Sequence, residues 1–260
     1  MKTKNIFFCH GGIHGIFMYL GAIKELYKQR DKLDLRRLKI YGSSSGGPLG
    51  LICILVLNDM LEIDFLIAEI NKFFAKHSSR TVMKFTQTCV EMLELLFLQI
   101  SDPRKVVSLA NKHLYIGVSQ QSGFKCISRF SDISDIFHCL LLSSNLVLLA
   151  TYPAFYADIV SIDGGYMASR NDIPRNCLCI YNKDGSFPEC VTIPDDDKQD
   201  ELIQKGIRFI HQLLPSKNKY NVMDEMFNNY SESVIRLVFF LQTYLAFKDD
   251  AWRERIRTLS

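Results

Sequence analysis

A chain of 260 residues that is 48% hydrophobic and 23% charged has enough apolar material for a globular core and is neither disordered nor fibrous. Its formal net charge of +3 is too small to mark a nucleic-acid binder. The early basic residues Lys24, Lys28, Arg30, Lys32, Arg36, Arg37 and Lys39 read first as a solvated helix face and loop, and second as a patch for an anionic membrane.

The eight cysteines form no C-x-x-C pair and mostly sit in apolar segments, so they read as buried free thiols of a reducing compartment. The N-terminal apolar run is too short for a signal-peptide core, and no apolar run approaches the roughly 20 residues that span a bilayer. The expectation is a cytoplasmic protein that meets membrane, if at all, from one side.

Asn5 to Cys9 is a short apolar run with the character of a buried strand. It breaks at His10-Gly11-Gly12 and passes through Ile13-His14-Gly15 into a helix over Ile16 to Arg30, whose apolar face carries Ile16, Leu20, Ile23 and Leu26. Glycines at such a turn leave backbone N–H groups open at a helix N-terminus, where an anion or a developing oxyanion binds. The Walker and G-x-G-x-x-G patterns are absent, so a nucleotide is poorly supported.

Leu38, Ile40 and Tyr41 form the next strand and run into Gly42-Ser43-Ser44-Ser45-Gly46, after which an apolar helix begins near Pro48. Strand, tight turn and helix in that order make a nucleophile elbow. Ser44 alone has a glycine two residues to each side.

Apolar residues at helical spacing follow over Leu61 to Phe74 and Val82 to Ile100, and the Phe-, Leu- and Met-rich stretch from Phe85 to Ile100 also suits an acyl-chain pocket or a membrane-facing rim. Pro103 stops that segment, and Arg104 to Leu114 is a further short helix. Tyr115 to Ser119 and Phe124 to Phe130 read as strands joined by a glycine-containing turn. Asp132 to Leu142 reads as a helix capped by Ser131.

Asp158 to Ile162 is a strand that delivers Asp163-Gly164-Gly165 to a sheet edge, and Leu178 to Tyr181 is another. Pro194-Asp195-Asp196-Asp197 reads as an acidic, solvated loop without paired metal-ligand spacing, so neither a metal nor a cofactor is expected. Helices over Glu201 to Leu214 and Ser233 to Phe247 complete the chain. Strands interleaved with helices indicate an α/β protein with a mainly parallel central sheet flanked by helices.

Three motifs in order, HGGIHG after the first strand, GSSSG before an apolar helix and DGG after a later strand, resemble the patatin-like phospholipases. The similarity spans roughly Asn5 to Tyr181. It implies a three-layer patatin-like sandwich with a catalytic core over 1–182 and a helical extension over 183–260 packed on the same domain.

The resemblance further implies a lipid acyl hydrolase acting on phospholipid or another acyl lipid at a membrane surface, without a cofactor. Ser44 is then the nucleophile, Asp163 its partner in a Ser-Asp dyad, and His10, Gly11 and Gly12 the oxyanion turn. Gly15, Gly42, Gly46, Gly164 and Gly165 support the motifs, and His14 stands where the family carries Arg or Lys. Two other outcomes share this fold: an impaired lipid-binding or interaction protein, and an acyltransferase. A Ser-His-Asp triad needs a histidine after the acid, and His211 is the single candidate beyond Asp163, though its place beside an apolar helix face favours core packing.

Overall fold

The computed structural model describes residues 2–77, 85–144, 155–156, 159–174, 176–182, 191–214 and 236. Strands β1 (Asn5–Phe8), β2 (Lys39–Ser43), β3 (Leu114–Gln120), β4 (Gly123–Ile127), β5 (Phe155–Tyr156), β6 (Ile159–Asp163) and β7 (Leu178–Ile180) form one sheet in the order β5-β6-β3-β2-β1-β7. β4 lies off this path, paired with β3. The pairs β7–β1, β1–β2 and β2–β3 are parallel. Beyond β3 the sheet turns antiparallel, through β3–β4, β3–β6 and β5–β6.

Parallel strands are buried on both faces, and β1 illustrates it. Its side chains alternate, so Ile6 and Phe8 enter the main core while Phe7, with Cys9 after it, joins a smaller cluster on the opposite face. That second cluster is completed by Ala168, Ile173, Cys177 and Cys179, from the segment that follows β6 through two 3₁₀ turns (Gly164–Tyr166 and Arg170–Asp172) and leads into β7.

The helices α1 (Gly12–Lys28), α2 (Gly46–Leu57), α3 (Ile63–His77), α4 (Phe85–Leu98), α5 (Pro103–His113), α6 (Ile133–Ser143) and α7 (Asp196–Leu213) all contribute to the main core. Every residue of α2 is buried, which is why its sequence is apolar all round rather than striped. It rests on β1, β2 and β3 and is covered by α1, α5 and α6. α7 crosses α1 from outside at two glycines. A side-chain carbon on Gly21 would lie 2.0 Å from the Ile203 carbonyl oxygen, and one on Gly206 would lie 1.9 Å from that of Met18. The result is a mixed α/β fold with a central sheet flanked by helices.

Several boundaries move for identifiable reasons. Pro103 opens α5 rather than closing the segment before it, with Asp102 accepting from the Lys105 N–H as cap. The cap of α6 is Asp132, one residue past Ser131, whose hydroxyl and N–H both donate to Asp135. The acidic run 195–197 is not a loop: Asp195 caps α7, and Asp196 and Asp197 sit in its first turn, where negative charge is favoured by the helix dipole.

Among the described cysteines none forms a disulfide, and Cys9, Cys53, Cys139, Cys177 and Cys179 are buried. Cys126 is an exception, exposed on β4. No helix among the described residues is long and apolar enough to cross a membrane. The expected helix over Ser233 to Phe247 falls outside the described residues apart from Arg236, and so does most of the 183–260 extension.

Candidate active site

β2 ends at Ser43 and α2 begins at Gly46, so the chain reverses within two residues. Ser44 takes the strain of that reversal at φ 56°, in the left-handed region that a residue with a side chain rarely occupies. The flanking glycines are required by space. A side-chain carbon on Gly42 would lie 2.1 Å from the Gly46 carbonyl oxygen, and one on Gly46 would lie 2.1 Å from that of Phe8.

Two serines on and beyond α6 fix the turn. The Ser44 N–H donates to Ser143 Oγ at 3.0 Å, Ser143 Oγ donates to the Gly117 carbonyl of β3 at 2.7 Å, and Ser144 Oγ donates to the Ser44 carbonyl at 3.3 Å. Neither serine belongs to a motif, and no signal in the sequence singles them out.

Asp163 is the last residue of β6, two strands from Ser44. Its register opposite Val118 sets it one step past Gly117, which itself pairs with Ser43. A small residue at Gly117 lets the two ends approach: Gly164 packs so closely that a side-chain carbon there would lie 2.3 Å from the Gly117 carbonyl oxygen and 3.0 Å from Ser43 Cβ. Asp163 is buried and its Oδ1 accepts from the Gly165 N–H at 2.7 Å.

Burial raises the Asp163 carboxyl from its ordinary 3.8 to about 7, and the Ser44 hydroxyl and the Gly165 N–H pull it back from a still higher value. The Ser44 hydroxyl thus stands close enough to favour the ionised carboxylate, while Oδ2 has no hydrogen-bond partner among the described residues. The Asp163 charge is also felt across the cleft: burial first, then Asp163, pushes the Cys89 thiol of α4 up to about 12.

The glycine turn meets this pair from β1. α1 starts at Gly12, earlier than the sequence suggests, so Gly12, Ile13, His14 and Gly15 form its first turn. Gly11 precedes it without a side-chain cap. The first N–H groups of a helix have no partner within it, and here they open beside Ser44: Gly12 and Ile13 line the same narrow cleft as Ser44 and Ser45. Gly12 holds φ 58°, a backbone state suited to glycine.

His10 packs against Gly165, its Cβ and Cγ each 3.0 Å from where a side-chain carbon would stand, and its carbonyl accepts from Tyr19 Oη at 3.3 Å. Burial pushes its imidazole down to about 4, so it is uncharged near neutrality. His14 is buried within α1, and Gly15 approaches Ser45. α2 begins two residues past Ser44, with Ser45 as its cap residue.

α4 forms the opposite wall of the cleft with Cys89, Met92 and Leu93, the stretch whose composition suited an acyl pocket. The cleft is nearly filled by its lining, with a free volume of about 30 Å³. A wider recess at Lys24, Tyr27, Asp59 and Asp64 lies at the C-terminal ends of α1 and α2, away from Ser44.

His211 is not brought to the site. Its Nδ1 lies 3.3 Å from Glu25 Oε1 on α1, and its side chain is 75% exposed, so it is neither a triad member nor a core residue. Glu25 stands thirteen residues along α1 from Gly12, about 20 Å at roughly 1.5 Å per residue. Among the described residues no group of histidine, cysteine, aspartate and glutamate side chains forms a metal site.

No protein-family model matches the sequence, and no curated protein matches it. Among solved structures the chain is similar to VipD from Legionella pneumophila, at 13% identity and a TM-score of 0.47 over 94% of this chain and 74% of that one. It is similar to the type III effector protein ExoU at 12% identity and a TM-score of 0.38, over 83% of this chain and 54% of the other. The third is the heterodimeric ExoU-SpcU complex from the type III secretion system of Pseudomonas aeruginosa, at 15% identity and a TM-score of 0.35, over 98% and 60% of the two chains.

Proposed function

We propose that this protein is a serine lipid hydrolase of patatin-like type, cleaving carboxylic esters of acyl lipids through a Ser44–Asp163 dyad. The observation that carries the reading is Ser44 at φ 56° beside a buried Asp163 whose carboxyl is raised to about 7.

A serine hydroxyl attacks an ester only when a base takes its proton as the bond forms. Ionised Asp163 accepts that proton on Oδ2 while Gly165 holds Oδ1. Ser44 Oγ bonds to the carbonyl carbon, and the negative charge moves to the carbonyl oxygen. The N–H groups of Gly12 and Ile13 at the start of α1, which line the cleft, stabilise it, a contribution on the order of 3 kcal/mol per donor.

The tetrahedral intermediate then collapses, the ester C–O bond breaks and the leaving alkoxide takes the proton from Asp163. Water repeats the sequence on the acyl-enzyme, releasing the fatty acid and restoring Ser44. A pKa near 7 serves both halves, since the group that accepts the proton must also give it back. Large exposed apolar residues, Phe65 on α3 and Leu98 on α4, suit contact with an aggregated lipid surface.

A fluorophosphonate probe tests the reading, because labelling needs an activated serine. The unmodified protein should be labelled and Ser44→Ala should not. Product analysis with defined phospholipids and neutral glycerides then fixes head group and position. An unmodified protein that neither labels nor releases fatty acid would return the fold to a binding role.

A further inference from the structure

The parallel strands β1, β2 and β3 all begin along one edge of the sheet, and the turn that carries Ser44 lies at the opposite edge. Cations collect where the strands begin. The Thr3 N–H donates to the Lys32 carbonyl at 3.0 Å, the Asp34 N–H to the Thr3 carbonyl at 2.9 Å and the Lys39 N–H to the Lys4 carbonyl at 2.8 Å. These backbone bonds gather Lys2, Lys4, Lys32, Arg36, Arg37 and Lys39, all exposed except the half-buried Lys4.

This charge is not neutralised locally. At the neighbouring end of α1, Lys24 and Arg30 are paired with Asp64 and Asp59, whereas none of the gathered cations has an ion-pair partner among the described residues. Lys32 donates to Gln29 and Lys39 stands 5.1 Å over the Tyr115 ring, contacts that cancel no charge. The loop's own acids, Asp31 and Asp34, leave a positive surplus here comparable to the net +3 of the whole chain. The Arg37 N–H donates to the Asp34 carbonyl at 2.9 Å, closing a turn with Leu35 and Arg36 at its corners. Leu35 is 38% exposed, so the turn carries an apolar side chain into solvent among the cations.

We infer that this edge is a docking surface for an acidic segment of a partner protein, whose carboxylates meet Arg36 and Arg37 and whose apolar side chain covers Leu35. A guanidinium takes a carboxylate through two parallel N–H bonds, which gives direction as well as charge. The choice of a polypeptide over a bilayer rests on the hydrolase reading, in which the membrane to be attacked lies at Ser44. β2 separates Lys39 from Ser44 by five residues, about 16 Å at roughly 3.3 Å per residue. A bilayer held by Arg36 and Leu35 would therefore lie at the wrong edge of the sheet. A single-stranded nucleic acid needs open aromatic faces, and the nearest ring, Tyr115, is stacked on Tyr41 at 4.7 Å with Lys39 on it.

The test measures fluorescence anisotropy of a fluorescein-labelled glutamate–leucine peptide with the full chain, beside an all-glutamate peptide, phosphatidylcholine–phosphatidylserine vesicles and poly(U). The glutamate–leucine peptide should bind most tightly, and its affinity should fall as salt is raised. The double variant Arg36→Glu, Arg37→Glu should weaken it about tenfold or more, as loss of charge-assisted pairs predicts. Leu35→Ser should remove the preference over the all-glutamate peptide. Arg104→Glu, at the opposite end of α5 from this edge, should leave binding unchanged. All these positions are exposed, each variant is first checked for folding, and p-nitrophenyl acetate turnover should stay at the parent value in every one.

A peptide that does not bind, or that binds equally to the charge-reversed variant, overturns the docking surface whatever the esterase result. Tighter binding of vesicles or poly(U), lost in the same variant, overturns the acidic polypeptide and gives the surface to a bilayer or a nucleic acid. Peptide binding through Arg36, Arg37 and Leu35 in a protein without esterase activity supports the surface while the hydrolase reading fails by itself.

Discussion

The backbone N–H of Ser44 and the hydroxyl of Ser143, 99 residues apart in the chain, form a buried 3.0 Å hydrogen bond, and the same hydroxyl donates onward to Gly117 at 2.7 Å. One oxygen therefore ties the strained elbow to the strand that lies between Ser44 and Asp163. Ser143→Ala leaves a buried N–H and a buried carbonyl unpaired, with an expected loss of about 1–3 kcal/mol in stability. If Ser143 also positions the nucleophile, kcat for ester hydrolysis should fall about tenfold with KM nearly unchanged, and Ser143→Thr should recover most of it. Chemical denaturation and steady-state kinetics on the two variants separate these effects.

The three serines of the elbow should behave differently. Ser44→Ala should abolish esterase activity, since it removes the atom that attacks. Ser45→Ala and Ser43→Ala should keep measurable turnover, because Ser43 Oγ and Ser45 Oγ make no hydrogen bond among the described residues. A dead Ser43 variant beside an active Ser44 variant would place the nucleophile one residue earlier.

The raised pKa of Asp163 gives two pH signatures. As the base, Asp163 must be ionised, so turnover should rise with pH through about 7, and Asp163→Asn should be as inactive as Ser44→Ala at every pH. Stability moves in the opposite sense. The folded state holds this proton more tightly than the unfolded state, whose carboxyl titrates near the ordinary 3.8. The group's contribution is thus most favourable below about pH 4 and is lost as pH rises through 7. Asp163→Asn should accordingly gain stability over the parent at pH 8 and little at pH 4, as read from urea midpoints at the two values. A midpoint difference that does not change with pH would mean that the carboxyl is not raised.

His211→Ala separates a dyad from a triad. The side chain is mostly exposed and its partner Glu25 lies far along α1, so the expected change is within about 0.5 kcal/mol in stability and negligible in turnover. A folded His211→Ala variant as inactive as Ser44→Ala would replace the dyad with a triad.

Much of this molecule is legible from local rules. The elbow can be read because its two glycines answer contacts made within five residues and with the adjacent strand, and α2 can be read as central because nothing polar interrupts it. The interleaved strands and helices follow from periodicity, which depends only on near neighbours. Where the reading slipped, a local competitor was present: the acidic run 195–197 has a loop's composition, yet the dipole of the helix it opens makes those charges favourable.

What the sequence by itself determined is the alternation of strand and helix, the strained turn at Ser44 and an acid placed at the end of a later strand. Tertiary structure decided the rest. The antiparallel entry of β6 beside β3 lets Asp163 reach Ser44 across Gly117, Ser143 and Ser144 arrive from a helix about a hundred residues away, α4 closes the cleft, and His211 turns outward to Glu25. None of these has a sequence signature, because a contact between distant segments depends on strand order and helix packing. The same side chain carries the same letter whether the sheet brings it to the nucleophile or leaves it in solvent.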